Sequence, residues 1–282
     1  MAEPVLIDAV MSGFLAPENA ASAQLAIDRK REEERKNAPE IWAQQVFNRI
    51  CYEARKAQQR FPDMADERIY ALHCQLVVEI ANRICLAKQR RKFIIDEHNR
   101  DVLRFLLYYF NESDLCESVF PGKRHKVSKN ILLMGGVGTG KTLMMQIFSE
   151  YLRYTNNPNF FHNLSVTQMV NYYTIHNNLD RYTFNEENST GFMPQPMNVC
   201  LNDIGIESKL FFGMDTKQLT NEFIHARNEI WTMTAPGQRK FGHLTTNLDK
   251  KQLEVEFEDQ FGRIKDRFKT YNILTLTGES RR

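Results

Sequence analysis

Asn130-Ile131-Leu132-Leu133-Met134 runs directly into Gly135-Gly136-Val137-Gly138-Thr139-Gly140-Lys141-Thr142, and this junction decides the reading of the whole chain. The apolar run has the length and bounds of a short buried strand. The glycine-rich stretch satisfies the spacing G-x-x-x-x-G-K-[ST], between that strand and a helix predicted over Thr142–Tyr154. Each residue type has a physical task there. Glycines let the backbone curl until several N–H groups face one anion, at the positive end of the next helix. Lys141 then reaches the β- and γ-phosphates of a nucleoside triphosphate, and the Thr142 hydroxyl binds Mg²⁺. The spacing predicts that Gly135 through Thr142 line bound ATP.

Outward from this junction the texture of the chain differs on the two sides. Downstream, strands are predicted at Asn159–Asn163, Val199–Leu201, Phe241–Thr246 and Asn272–Leu276. Helices are predicted between them at Val166–Ile175, Gln218–Ile230 and Glu258–Thr270. Strands alternating with helices imply an α/β fold with a mostly parallel, doubly wound sheet. Upstream, residues 1–94 contain no convincing strand and read as a helical region. Residues 1–20 carry no periodic signal, and Arg29–Lys36 is a mixed charge run of the kind found on solvated helical faces. Trp42, Val46, Ile50 and Ala54 recur every fourth position and stop at Phe61-Pro62. Asp63 is then read as the cap of a helix whose stripe is Ile69, Leu72, Leu76, Ile80 and Ile84, suited to an internal hairpin or a docking surface. A further helix is predicted from Asp96 to about Phe110. The expected domains are therefore 1–94, helical and partner-docking, and 95–282, the nucleotide-binding domain.

Composition narrows the class. Lys and Arg number 37 against 35 Asp and Glu, so bulk charge does not announce a nucleic-acid binder and any such role must come from local patches. Candidate patches are Lys88, Arg90, Arg91 and Lys92; Lys123, Arg124, Lys126 and Lys129; and the segment Thr167–Arg181. The five cysteines have neither zinc-finger nor CxxC spacing, which fits a reducing, cytoplasmic compartment. No run approaches the roughly 18 apolar residues of a membrane span, so no membrane association is expected.

A phosphate-binding loop needs an acidic partner on a neighbouring strand. Val199-Cys200-Leu201-Asn202-Asp203 delivers Asp203 to a strand's carboxyl end, where nucleotides sit in open α/β sheets. Asp203 is the expected catalytic residue and second metal-shell group. The usual pattern has two acids here, whereas Asn202 occupies the first position and ligates only a metal-bound water. Leu244-Thr245-Thr246-Asn247 ends the next strand with an amide able to orient attacking water. Arg263 and Arg267 are four apart on the next helix, away from the apolar face of Phe257, Ile264 and Phe268, so either can enter a neighbouring subunit's site.

Taken in order, GGVGTGKT, NDIGIES (Asn202–Ser208), HLTTNL (His243–Leu248), FGRIKDRF (Phe261–Phe268) and the terminal GESRR resemble the AAA+ ATPases of the DnaC/IstB group, over roughly residues 95–282. The resemblance implies a compact AAA+ core without the large helical lid, ATP and Mg²⁺ as ligands, and a homo-oligomeric ring or spiral. It puts Asn247 at the sensor 1 position, Arg267 at the arginine finger, and Arg281 or Arg282 in the sensor 2 region. Asn202 departs from the usual Walker B Asp, which points to weak hydrolysis.

The expected function is that of a helicase loader: ATP binding assembles subunits on single-stranded DNA and delivers a replicative helicase. The rivals are a transposition helper ATPase, which acts on duplex DNA with a transposase as partner, and a nucleotide-gated interaction module with little hydrolysis.

Overall fold

The computed structural model describes residues 28–29, 32–33, 43–54, 61–183, 197–205, 210–211, 214–233, 241–257 and 263–281. Most of the 29–36 charge run, Trp42, residues 206–209 and 258–262, and Arg282 lie outside them. Met1–Arg49 and Ile50–Arg282 form separate units. In the first, the described residues are helical. Among the described residues the second contains every strand, and it takes in residues 50–94, which were expected to fall in the helical region.

After the helical residues 50–54, it continues with helix α1 (Glu67–Gln89). Asp63 makes the preceding turn, its carboxylate accepting from Ala65 N at 2.9 Å. The helix cap itself is Asp66, which accepts from Arg68 N and Ile69 N. The buried face of α1 is His73, Leu76, Val77, Ile80, Ala81 and Cys85, rotated from the stripe expected, because α1 packs on helix α3 (Lys141–Tyr154). This helix also has the length and mean hydropathy (1.2) of a membrane-crossing segment. Helix α2 (Arg100–Phe110) starts four residues later than Asp96, after a turn in which the Asp96 carboxylate accepts from His98 N.

The sheet obeys the alternation of the sequence. Its strands are β1 (Asn130–Gly135), β2 (His162–Ser165), β3 (Val199–Ile204), β6 (Gly242–Thr246) and β7 (Tyr271–Leu276), in spatial order β2-β3-β6-β1-β7 and all parallel. The short hairpin β4 (Leu210–Phe211) and β5 (Met214–Asp215) stands apart from it. Helices α4 (Val166–His176), α5 (Asp180–Thr183), α6 (Thr216–Met233), α7 (Lys250–Glu256) and α8 (Arg263–Arg267) complete the crossovers. Helix α7 was not expected, although Asp249 and Gln252 form a reciprocal capping box that D-x-x-Q encodes.

Strand β1 lies inside the sheet, and Ile131, Leu132 and Leu133 have no exposed surface. Helices cover both faces of a parallel sheet, so its strands read as continuous apolar runs. Burial of each such side chain contributes about 1.5–3 kcal/mol. Chain order reverses around β1, whose neighbours are β6 on one side and β7 on the other. That reversal leaves a crevice at the carboxyl ends of the strands.

Polar side chains seal the opposite ends. Asn130 Oδ1 accepts from Gly242 N, Asn198 Oδ1 from Phe241 N, and Asn272 Oδ1 from Lys126 N. Arg227 of α6 is fully buried and donates to the carbonyls of Met197 (2.9 Å), Tyr182 (3.3 Å) and Phe241 (2.5 Å). Burial lowers its pKa to about 10. Gly242 is required beside it, because a Cβ there would lie 2.9 Å from Arg227 Nε.

Candidate functional site

The carboxyl ends of β1, β3, β6 and β7 bring Gly135–Thr142, Asp203, Asn247 and residues 277–281 to one edge of the sheet. In the glycine-rich loop, Gly138 (φ 84) and Gly140 (φ 99) take left-handed conformations. Gly140 is also the N-cap of α3 and offers no side-chain acceptor to the helix's first N–H groups. Those donors, aligned with the helix dipole, are suited to an anion. Lys141 is buried and its ammonium donates to Gly135 O (2.7 Å) and Gly136 O (2.8 Å), so it rests on the loop it belongs to. Thr139 is buried and ties the turn by donating to Gly136 O at 2.9 Å. Val137 is two-thirds exposed at the apex.

The end of the chain packs against this loop. Arg281 N donates to Gly138 O at 2.9 Å, and a Cβ on Gly138 would meet Ser280 Oγ at 2.2 Å. The Arg281 guanidinium is held by Asp96, at 2.8 and 2.7 Å to its two carboxylate oxygens. This bond holds the Asp96 carboxyl below the usual carboxylate range. His98 Nδ1 and Thr277 Oγ1 lie 2.9 Å apart and tie the same two segments a second time. Along the chain Asp96 marks only the expected start of a helix. No local pattern couples it to a residue at the other end of the domain.

Asp203 lies where the strand pattern put it, with a backbone conformation rare outside glycine (φ 62). Its N–H donates to Thr245 Oγ1 at 2.9 Å, which fixes the bend between β3 and β6. Among the described residues its half-buried carboxylate has no hydrogen-bond partner. Asn202 behaves differently from the expectation. It is buried, its amide N–H groups donate to Asn163 Oδ1 (3.2 Å) and Leu164 O (3.3 Å), and its Oδ1 accepts from Thr245 Oγ1 (3.3 Å). Its side chain braces β2, β3 and β6. The pairing of β3 with β6 is irregular between Leu201 and Ile204, and the left-handed turn at Asp203 falls within that break.

Thr245 and Thr246 are also buried and committed, the latter donating to Ile204 O at 2.8 Å, whereas Asn247 is exposed just past the strand. Arg263 is exposed on α8, but Arg267 is not the outward side chain expected. It is half-buried, and its Nε is shielded without a hydrogen-bond partner. The short α8 gives way to a 3₁₀ turn at Phe268–Thr270, which shifts the faces away from helical periodicity.

Of the basic segments, Lys123–Lys129 falls at the far end of the sheet, where Lys126 pairs with Glu117 and bonds the start of β7. The Thr167–Arg181 segment carries a stacked Tyr172–His176 pair at 4.2 Å, with the Arg181 guanidinium 5.9 Å from the Tyr172 ring. Neither the known family models nor the curated proteins give a match to this chain.

Proposed function

We propose that the chain is a P-loop ATPase of AAA+ type that assembles on single-stranded DNA and delivers a replicative helicase. One observation carries the nucleotide part: a glycine-rich loop enters an uncapped helix N-terminus from an interior strand of a parallel sheet, on the edge that also presents Asp203. The residues fit a triphosphate with Mg²⁺. Gly136 through Lys141 would wrap the phosphates with backbone N–H groups, and Lys141 would exchange its two loop carbonyls for phosphate oxygens. Thr142 would hold the metal with its hydroxyl, which makes no hydrogen bond among the described residues. ATP supplies the γ-phosphoryl group and Mg²⁺ neutralises charge on it. Asp203 would accept the proton of the attacking water and Asn247 would orient it.

The helicase-loader role rests on the resemblance to the DnaC/IstB group, as does the assignment of Arg267 to a neighbour's nucleotide. For Arg267 to act so, subunit contact must draw its head group out, since Nε is shielded in the single chain. The cysteines, all free thiols, fit a cytoplasmic setting.

A second reading has its own support. Asn202 is fully used in bracing strands, so one carboxylate stands where two are usual. A nucleotide-gated module with slow turnover is the natural consequence.

The decisive measurements are ATP affinity, turnover and helicase capture. Lys141→Ala should weaken ATP binding by at least about a hundredfold, equivalent to about 2.7 kcal/mol. Asp203→Asn should keep binding and remove whatever turnover the wild type has. A wild type that binds no ATP sinks the nucleotide reading, and one that never captures the helicase, with or without ATP, sinks the loader reading. Wild-type turnover at the level of the Asp203 variant would favour the gated module.

A further inference from the structure

A groove of about 590 Å³ runs between α1 and the C-terminal half of α3 and reaches His162 and Asn163 of β2, the end strand of the sheet. It is separate from the glycine-rich loop at the opposite end of α3. Its walls carry two chemistries. Arg83 and Lys88 of α1 and Arg153 of α3 set three permanent cations around it, against the single carboxylate of Glu150. Glu150 pairs with Arg153. Lys88 instead donates to the neutral Gln146 Oε1 at 2.9 Å, which leaves its charge to act on a ligand. Tyr154, Phe160 and His162 add ring surface: the Arg153 guanidinium sits 4.7 Å from the Tyr154 centroid, and Phe160 and His162 meet edge to face at 4.9 Å. Beyond Lys88 the chain continues into exposed Arg90, Arg91 and Lys92.

Cations that track a phosphate backbone, interleaved with rings that bases can stack on, are the requirements of a single strand. An acidic peptide would use the cations and leave the rings idle, and a duplex offers no unstacked base face to them. We propose that this groove binds single-stranded DNA, with phosphates on Arg83 and Lys88 and a base against the Tyr154, Phe160 and His162 cluster. The inference takes its occupant from the DNA-assembly reading above but does not depend on the loop binding ATP.

The test is fluorescence anisotropy of a labelled oligothymidylate with the full chain, across a salt series. Arg83→Glu with Lys88→Glu, both exposed positions, should lower affinity at least about tenfold and flatten the log K against log salt slope by about 1.4, two phosphates' worth for a single strand. Lys88→Arg should restore the slope contributed by that position. Tyr154→Leu should weaken binding about tenfold with the slope unchanged. Circular dichroism and ATP affinity, measured on the same samples, should match the wild type for the charge variants. Loss of ATP binding in the wild type would count against the nucleotide reading alone. Equal affinity and slope in wild type and the double charge variant would overturn the groove proposal. So would tighter capture of a polyglutamate peptide than of the oligonucleotide, or no oligonucleotide binding at low salt.

Discussion

The two ends of the same parallel strands are built from similar residues put to opposite uses. At the amino ends, Asn130, Asn198, Asn272 and Arg227 spend most of their polar atoms on backbone groups, while Asn130 Nδ2 and Arg227 Nε stay buried without a hydrogen-bond partner. At the carboxyl ends, Gly138 and Gly140 shape an open turn, Asp203 has a strained backbone, and Asn247 is exposed. Bracing is continuous at the amino ends, whereas the carboxyl ends set braced Asn202, Thr245 and Thr246 beside the open turn and the exposed Asn247. A polar residue's role therefore depends on whether neighbouring strands enclose it: asparagine braces at Asn130 and Asn202 and stands exposed at Asn247.

The contrast breaks most visibly at Arg227. Arg227→Ala would take the Arg227 donor from Met197 O and Tyr182 O, leave Phe241 O with Val199 N, and open a large cavity, at a cost of about 3–5 kcal/mol. Chemical denaturation should show that loss, while ATP affinity of the folded fraction stays as in the wild type. Asn202→Asp comes next. A carboxylate there would face Asn163 Oδ1 and Leu164 O, both acceptors, so the variant should lose about 1–3 kcal/mol despite restoring the usual acidic pair. A stability gain on this substitution would mean that the Asn202 side chain does not brace these strands.

A titration sharpens the buried side of the comparison. Tyr151 Oη accepts from Asn111 Nδ2 and lies 2.6 Å from His73 Nδ1. Burial lowers His73 to about 4, and burial with the nearby Arg227 lowers His243 to about 3. Both folded values lie below the unfolded value of 6.5. Above pH 6.5 neither state binds these protons and stability is flat. As pH falls from 6.5 towards 4 only the unfolded chain takes them up, so stability should drop on the order of 1 kcal/mol per pH unit per histidine. Denaturation midpoints at several pH values check this, and His73→Asn should flatten the slope. The smallest effect belongs to the partly exposed Asp96–Arg281 pair. Arg281→Ala should cost under about 1 kcal/mol, fading at high salt in thermal melts.

Most of the strand-and-helix frame was legible along the chain, because parallel strands covered on both faces leave uninterrupted apolar runs such as Ile131–Met134. The strand predicted at Asn159–Asn163 instead forms at His162–Ser165, since Asn157 and Asn159 are drawn into hydrogen bonds with Phe110 and Asn111 across the domain. The apolar stripe of helix α1 suits an internal hairpin or a docking surface, and in the fold His73 and Lys88 bond residues of α3. Spacing within a helix gives an apolar stripe but not its partner.

The sequence by itself determined the glycine-rich turn and the approach of Asp203 to a strand's end, because both are local: glycine spacing permits positive φ, and an apolar run carries the next residues out to the sheet's edge. Only the tertiary structure decided that Asn202 turns into the sheet, that Arg267 is half-buried, and that Arg281 crosses the glycine-rich loop to Asp96. Those outcomes depend on which strands become neighbours. Such neighbours are chosen by packing between segments far apart in the chain, a separation over which no local pattern carries information.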